Sequence, residues 1–169
     1  MGPSTVIHHI SKGTVMRSLD PNLKIMMLDL LADEFGAQHQ YQVHEVIARA
    51  LRLVRLADVQ KEHYDDEVKH SEMLIKFMLS MGVVFDGTQG LCEIRTEVIP
   101  AMESDYEGEQ TAELKYIRAT LQAVKVGDHA AVELLQSIIK DERDHIDDFF
   151  GFTSDLSIMG EANFLASLV

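Results

Sequence analysis

The chain has 169 residues, 46% hydrophobic and 25% charged, enough for one soluble domain with a buried core. Fifteen basic residues stand against 28 acidic ones, and a net charge of −13 argues against a nucleic-acid or anionic-membrane partner, since both need a basic face. Cys92 is the single cysteine, which rules out a disulfide framework and a cysteine zinc site.

Residues 1–20 read as an N-terminal arm in which His8 and His9 are incidental neighbours. Met1-Gly2-Pro3-Ser4 opens no secretory leader, and no apolar run approaches membrane-spanning length, so a cytoplasmic address is expected. Asp20-Pro21 starts a helix, with Asp as N-cap and Pro at the first helical position. Leu23, Met26, Met27, Leu30, Leu31, Glu34, Ala37, Gln38, Tyr41 and His44 then recur at 3/4 spacing, which predicts a long amphipathic helix to about Arg49.

After a turn near Ala50 to Val54, a second helix runs to Met81, with Gly82 as its stop. Its stripe includes Leu56, Val59, His63, Glu67, His70 and Leu74. Residues 83–93, with Gly87 and Gly90, read as a crossover connection without a strand. A third helix from Thr96 or Glu97 to Val126 carries Met102, Asp105, Glu109, Ala112 and Tyr116 inward. Gly127-Asp128 separates it from a fourth, expected from His129 to Phe152, with Ile138, Glu142, His145 and Phe149 inward. A break over residues 151–157 is expected before a short terminal helix over 158–169. The prediction is an all-α protein: a four-helix bundle over residues 21–157, a long crossover between helices two and three, and a short fifth helix.

The polar residues on the apolar stripes carry the chemistry. Glu67 and His70 are three apart, as are Glu142 and His145, so each pair projects from one helix face toward one point. With 14 Glu and 8 His in the chain, chance yields about 0.7 such pairs, so one alone means little. Each pair, however, has an inward Glu 33 positions upstream, Glu34 for the first and Glu109 for the second. The odds of both partners arising by accident are on the order of one in a hundred. Four carboxylates and two imidazoles buried together cost many kcal/mol unless cations neutralise them. Two divalent ions would balance the charge, and so oxygen-rich a donor set suits iron or manganese better than structural zinc.

At these residues the chain resembles the bacterioferritins. The segment from Glu34 through Tyr41 to His44 looks like their first helix, Asp66-Glu67 to His70 their second, Asp105 with Glu109 their third, and Asp141-Glu142 to His145 and Asp147 their fourth. The tail from Ile158 through Phe164-Leu165 is similar to their fifth helix. The resemblance implies a ferritin-like fold, a cage of 24 chains in preference to 12, and a ferroxidase that oxidises Fe(II) with O₂ or H₂O₂ and stores the ferric mineral. It implies two irons per subunit, with Glu34 and His70 as terminal ligands of one, Glu109 and His145 of the other, and Glu67 and Glu142 bridging. Asp105 and Asp141 are expected to hold the metal-bound imidazoles, and Tyr41 to donate an electron. A ferredoxin is the implied partner for iron release.

The departures are specific. Val68 stands where the family has its haem-ligating methionine, which argues against haem by the usual mode. Glu62 replaces a cavity-facing His, and Leu74 and Asp148 replace aromatics found in some relatives. Two other di-metal classes are weaker matches. A Dps-like dodecameric protective cage using H₂O₂ would bring a basic tail for DNA or a cysteine pair, and a rubrerythrin-like peroxidase a Cys-x-x-Cys module; the chain has none of these.

Overall fold

The computed structural model describes residues 18–169, so the arm's His8 and His9 lie outside the described residues. The helices are α1 (Pro21–Ala50), α2 (Val54–Ser80), α3 (Val98–Val126), α4 (His129–Met159) and α5 (Glu161–Ser167), and no strand occurs among the described residues. The Asp20 side chain accepts from the backbone N–H of Asn22 and Leu23, which satisfies two of the donors a helix start leaves open. Asp128 does the same for Ala131 at the head of α4. Gly127, at φ +74°, closes α3 in the left-handed conformation that only glycine adopts freely.

Short turns make α1 antiparallel to α2 and α3 antiparallel to α4, and the pairs meet through α1 against α3 and α2 against α4. The crossover, residues 81–97, returns along α1. Gly90 donates to the Ala32 carbonyl at 2.6 Å, and the backbone N–H groups of Glu93 and Arg95 donate to Gln40 Oε1 at 2.6 Å and His44 Nε2 at 3.0 Å. Gly36 permits this closeness, since a Cβ there would meet the Leu91 carbonyl oxygen at 2.8 Å.

The fourth helix departs from expectation. It continues through residues 151–157 to Met159, and the chain breaks at Gly160 (φ +71°) instead. A lone glycine costs a helix about 1 kcal/mol, and burial of Phe152 on the same turn offsets it. α5 then folds over the end of the bundle. Its Phe164 packs against Phe152, and the Leu168 carbonyl accepts from the Arg55 backbone at 2.9 Å.

Two apolar clusters fill the bundle. One gathers Leu23, Met27, Leu74, Met78, Leu135 and Ile138; the other, Tyr41, Leu56, Met102, Phe149 and Phe164. Each fully buried leucine or phenylalanine contributes about 1.5–3 kcal/mol. Between the clusters the apolar stripes are interrupted by polar residues from all four helices. No described helix is long and apolar enough to cross a membrane.

Candidate metal centre

Glu34, Glu67, His70, Glu109, Glu142 and His145 are each 4% exposed or less and converge at mid-bundle. Ligand atoms of Glu34, Glu67, His70 and Glu142 lie within 4.8 Å of one another, and so do those of Glu67, Glu109, Glu142 and His145. The two groups share Glu67 and Glu142. His70 Nδ1 stands 3.0 Å from Glu67, 3.3 Å from Glu142 and 3.6 Å from Glu34. His145 Nδ1 stands 3.5 Å from both Glu67 and Glu109.

Both imidazoles turn the other nitrogen outward to an aspartate. His70 Nε2 is 3.4 Å from Asp141 and His145 Nε2 is 3.4 Å from Asp66. An Nε2–H donated to a carboxylate leaves the Nδ1 lone pair facing the centre, the tautomer a metal needs. Asp141 is where the sequence analysis puts it. Asp105 is not, because its oxygens instead contact His44 Nδ1 at 2.9 Å and accept from the amides of Gln40 and Gln60, both at 2.7 Å. Asp105 faces α1 and the start of α2, one helix turn before Glu109 on α3. Asp66 takes the role expected of it.

Two phenols complete the surround: the Tyr41 hydroxyl donates to Glu109 and the Tyr116 hydroxyl to Glu34. A shift of 75 positions relates Glu34 to Glu109, Asp66 to Asp141, Glu67 to Glu142, His70 to His145 and Tyr41 to Tyr116. Extending the repeat by that offset is the signal that would have found Asp66 and Tyr116.

The electrostatics are those of buried carboxyls and imidazoles that share protons. Burial raises the Glu34 and Glu142 carboxyls well above the usual range, and the nearby Glu67 adds repulsion to each. Burial acts on Glu67 in the same sense, but the adjacent Glu34, His145 and His70 side chains hold it well below the usual range. Burial disfavours the charged form of both imidazoles, yet their carboxylate partners win: His70 is raised far above the ordinary histidine range and His145 is pushed up to about 11. Burial, with Glu109 and Glu34 respectively, raises the Tyr41 and Tyr116 hydroxyls well above theirs.

Even with these contacts, Glu34 Oε2, both carboxylate oxygens of Glu142 and His145 Nδ1 are buried without a hydrogen-bond partner. Unsatisfied buried groups cost about 1–3 kcal/mol each. Hard oxygen donors left bare beside inward imidazole nitrogens fit divalent cations.

Such a bundle, with two overlapping carboxylate–imidazole groups at its centre, is a ferritin-like architecture. Residues 27–159 match the family described as Ferritin-like domain, and the chain belongs to it. It is also 28% identical over 133 residues to a bacterioferritin of Brucella melitensis biotype 1, covering 76% of this chain and 80% of that protein.

Proposed function

We propose that the protein oxidises Fe(II) at a two-iron centre within each subunit and stores the ferric product inside a cage of identical chains. The observation that carries this reading is the sharing of Glu67 and Glu142 between two four-residue groups. Glu34 and His70 would be the terminal ligands of one iron, Glu109 and His145 of the other, and Glu67 and Glu142 the bridges. Four carboxylates then balance two divalent ions. When bound, the iron pair supplies the electrons that reduce O₂ or H₂O₂.

The remaining work belongs to the chain's own groups. Asp66 and Asp141 hold the imidazole rings so that Nδ1 faces inward. The Tyr41 and Tyr116 hydroxyls keep Glu109 and Glu34 oriented, and Tyr41 is the candidate electron donor. As cations enter, protons leave the raised carboxyls and imidazoles. Membership of the ferritin-like family and the bacterioferritin relative support storage in a homo-oligomeric cage. We favour 24 chains over 12, a cytoplasmic setting and a ferredoxin for iron release. Val68 carries no sulfur to ligate haem, so the purified protein should lack a sharp Soret band.

Stopped-flow absorbance after mixing anaerobic Fe(II)-loaded protein with oxygenated buffer tests the reading. Fast oxidation should saturate near two irons per chain and disappear in Glu67→Ala. A Glu67→Ala variant that keeps the fast phase would refute the bridging role.

A further inference from the structure

The hydrogen bond to Asp66 does not by itself fix the ring plane of His145. The Cβ–Cγ torsion of a histidine has broad, shallow preferences, and Nε2 lies close to that axis. Asp66, 3.4 Å from Nε2, therefore restrains rotation of the ring only weakly. Yet the Nδ1 lone pair lies in the ring plane, so that plane governs whether Nδ1 meets an ion held by Glu67 and Glu109.

His63 covers the face of this ring. The two imidazoles stack with centroids 4.0 Å apart and planes at 26°. A ring seated in this way packs on a ligand, and His63 stands outside the group formed by Glu67, Glu109, Glu142 and His145. His63 is itself held firmly. Its side chain is 1% exposed, and Tyr41 and Phe149 meet it at near right angles, with centroids 5.4 Å and 5.1 Å away. Its Nε2 is 3.2 Å from Asp148 Oδ2. Asp148 lies three residues beyond His145 on the same face of α4, so one helix supplies both the ring that is covered and the tether of the ring that covers it. With Nε2–H donated to Asp148, Nδ1 of His63 is buried without a partner, a cost that an aliphatic side chain in the same space would not incur. The imidazole is there for its flat face and its tether.

The 75-residue repeat gives this feature no counterpart. Ile138, fully buried, matches His63, and Met73 matches Asp148. Among the described residues no ring stacks on His70; that of His145 is 6.2 Å away and tilted by 34°. We infer that His63 is a positioning residue for the centre: stacked on His145 and tethered by Asp148, it locks the plane of that ring and makes the Glu109–His145 position the tighter of the two. The inference rests on the two-metal reading above. A ligand already held in its binding orientation loses less freedom when the ion arrives.

Co(II) serves as the probe, titrated calorimetrically into the full-length assembled protein while the visible absorption of the bound ion is followed. The wild type should take up two Co(II) ions per chain, and the tighter step should be the one lost in Glu109→Gln. In His63→Leu, which fills the space without a flat face, that step should weaken about tenfold or more and its absorption bands should broaden, while the other step stays. His63→Phe, which restores the stacked face, should recover most of the loss. Crystals of metal-free His63→Leu should show the His145 ring turned or in two orientations, against a single one in the wild type and in His63→Phe. If the leucine variant fails to fold, Asp148→Ala, a change at a half-exposed side chain, releases the tether and should weaken the same step. Equal affinity in the leucine and phenylalanine variants, a tighter step unchanged in Asp148→Ala, or a tighter step that survives Glu109→Gln would overturn the positioning role and leave the two-metal centre standing. A wild type that binds fewer than two Co(II) ions would overturn both.

Discussion

Asp66 Oδ2 lies 3.4 Å from His145 Nε2, so the aspartate that opens the first Asp-Glu-x-x-His motif holds the histidine that closes the second. Asp141 returns the arrangement to His70 at the same distance. Each motif on α2 or α4 therefore depends on the other for the orientation of its own ring. Asp66→Ala should weaken metal binding about 10- to 100-fold, chiefly at the position that His145 serves, and Asp141→Ala should do the same at the His70 position. Calorimetric titration with Co(II) would show this; equal losses at both positions in either variant would argue against the crossed pairing.

The pH dependence follows from the signs of the shifts. Glu34 and Glu142 are raised in the metal-free fold above their ordinary value of 4.5. A group so raised contributes stability below the unfolded-state pKa and loses it as pH climbs toward the folded-state value. His70 and His145 act in the same sense, with the loss for His145 extending to about pH 11. Glu67, held low, acts oppositely and favours the fold above the carboxylate range. Metal-free protein should therefore lose stability as pH rises from about 4.5 to 8, whereas cation binding strengthens over that interval because fewer protons compete. The gap in melting temperature between metal-loaded and chelator-treated protein should widen with pH. A constant gap would contradict the protonation scheme.

Tyr116 donates to the buried carboxylate of Glu34, and the loss of such a bond costs about 1.5–3 kcal/mol. Tyr116→Phe should show that loss by urea denaturation in the presence of chelator, and a smaller one once metal satisfies the carboxylate. Tyr41→Phe should behave alike through Glu109. Equal losses with and without metal would mean that the phenols serve packing alone.

Gly36→Ala tests how the crossover is seated. The added methyl would press on the Leu91 carbonyl at 2.8 Å, and both neighbours there are backbone. Overpacking of this kind costs about 1–3 kcal/mol, and the crossover should lift from α1. Faster amide hydrogen exchange at Gly90, which donates to Ala32, would report that movement.

The fold was legible because its signals are local. Asp20-Pro21, Gly127-Asp128 and the 3/4 stripes fall where the helices begin, break and face inward. The six buried Glu and His residues were legible because a charged residue on an apolar stripe needs a reason to be there. The run of α4 through Gly151 was not, because burial of Phe152 and the cover from α5 override a local helix breaker. Asp105 holds neither imidazole of the centre for a similar reason: its partners are set by how α1 and α2 pack against α3. His63 was visible as an inward residue, but its bare nitrogen becomes evident only once Asp148 is seen to hold the other.

Two metal ions sharing Glu67 and Glu142 would leave a direct signature in diffraction. Crystals grown without metal and soaked anaerobically in Fe(II), with diffraction collected at the iron edge, test it most directly. Two anomalous peaks per subunit are expected at mid-bundle, one bounded by Glu34 and His70, the other by Glu109 and His145, with Glu67 and Glu142 touching both. A single peak, or iron bound only outside these six residues, would contradict it.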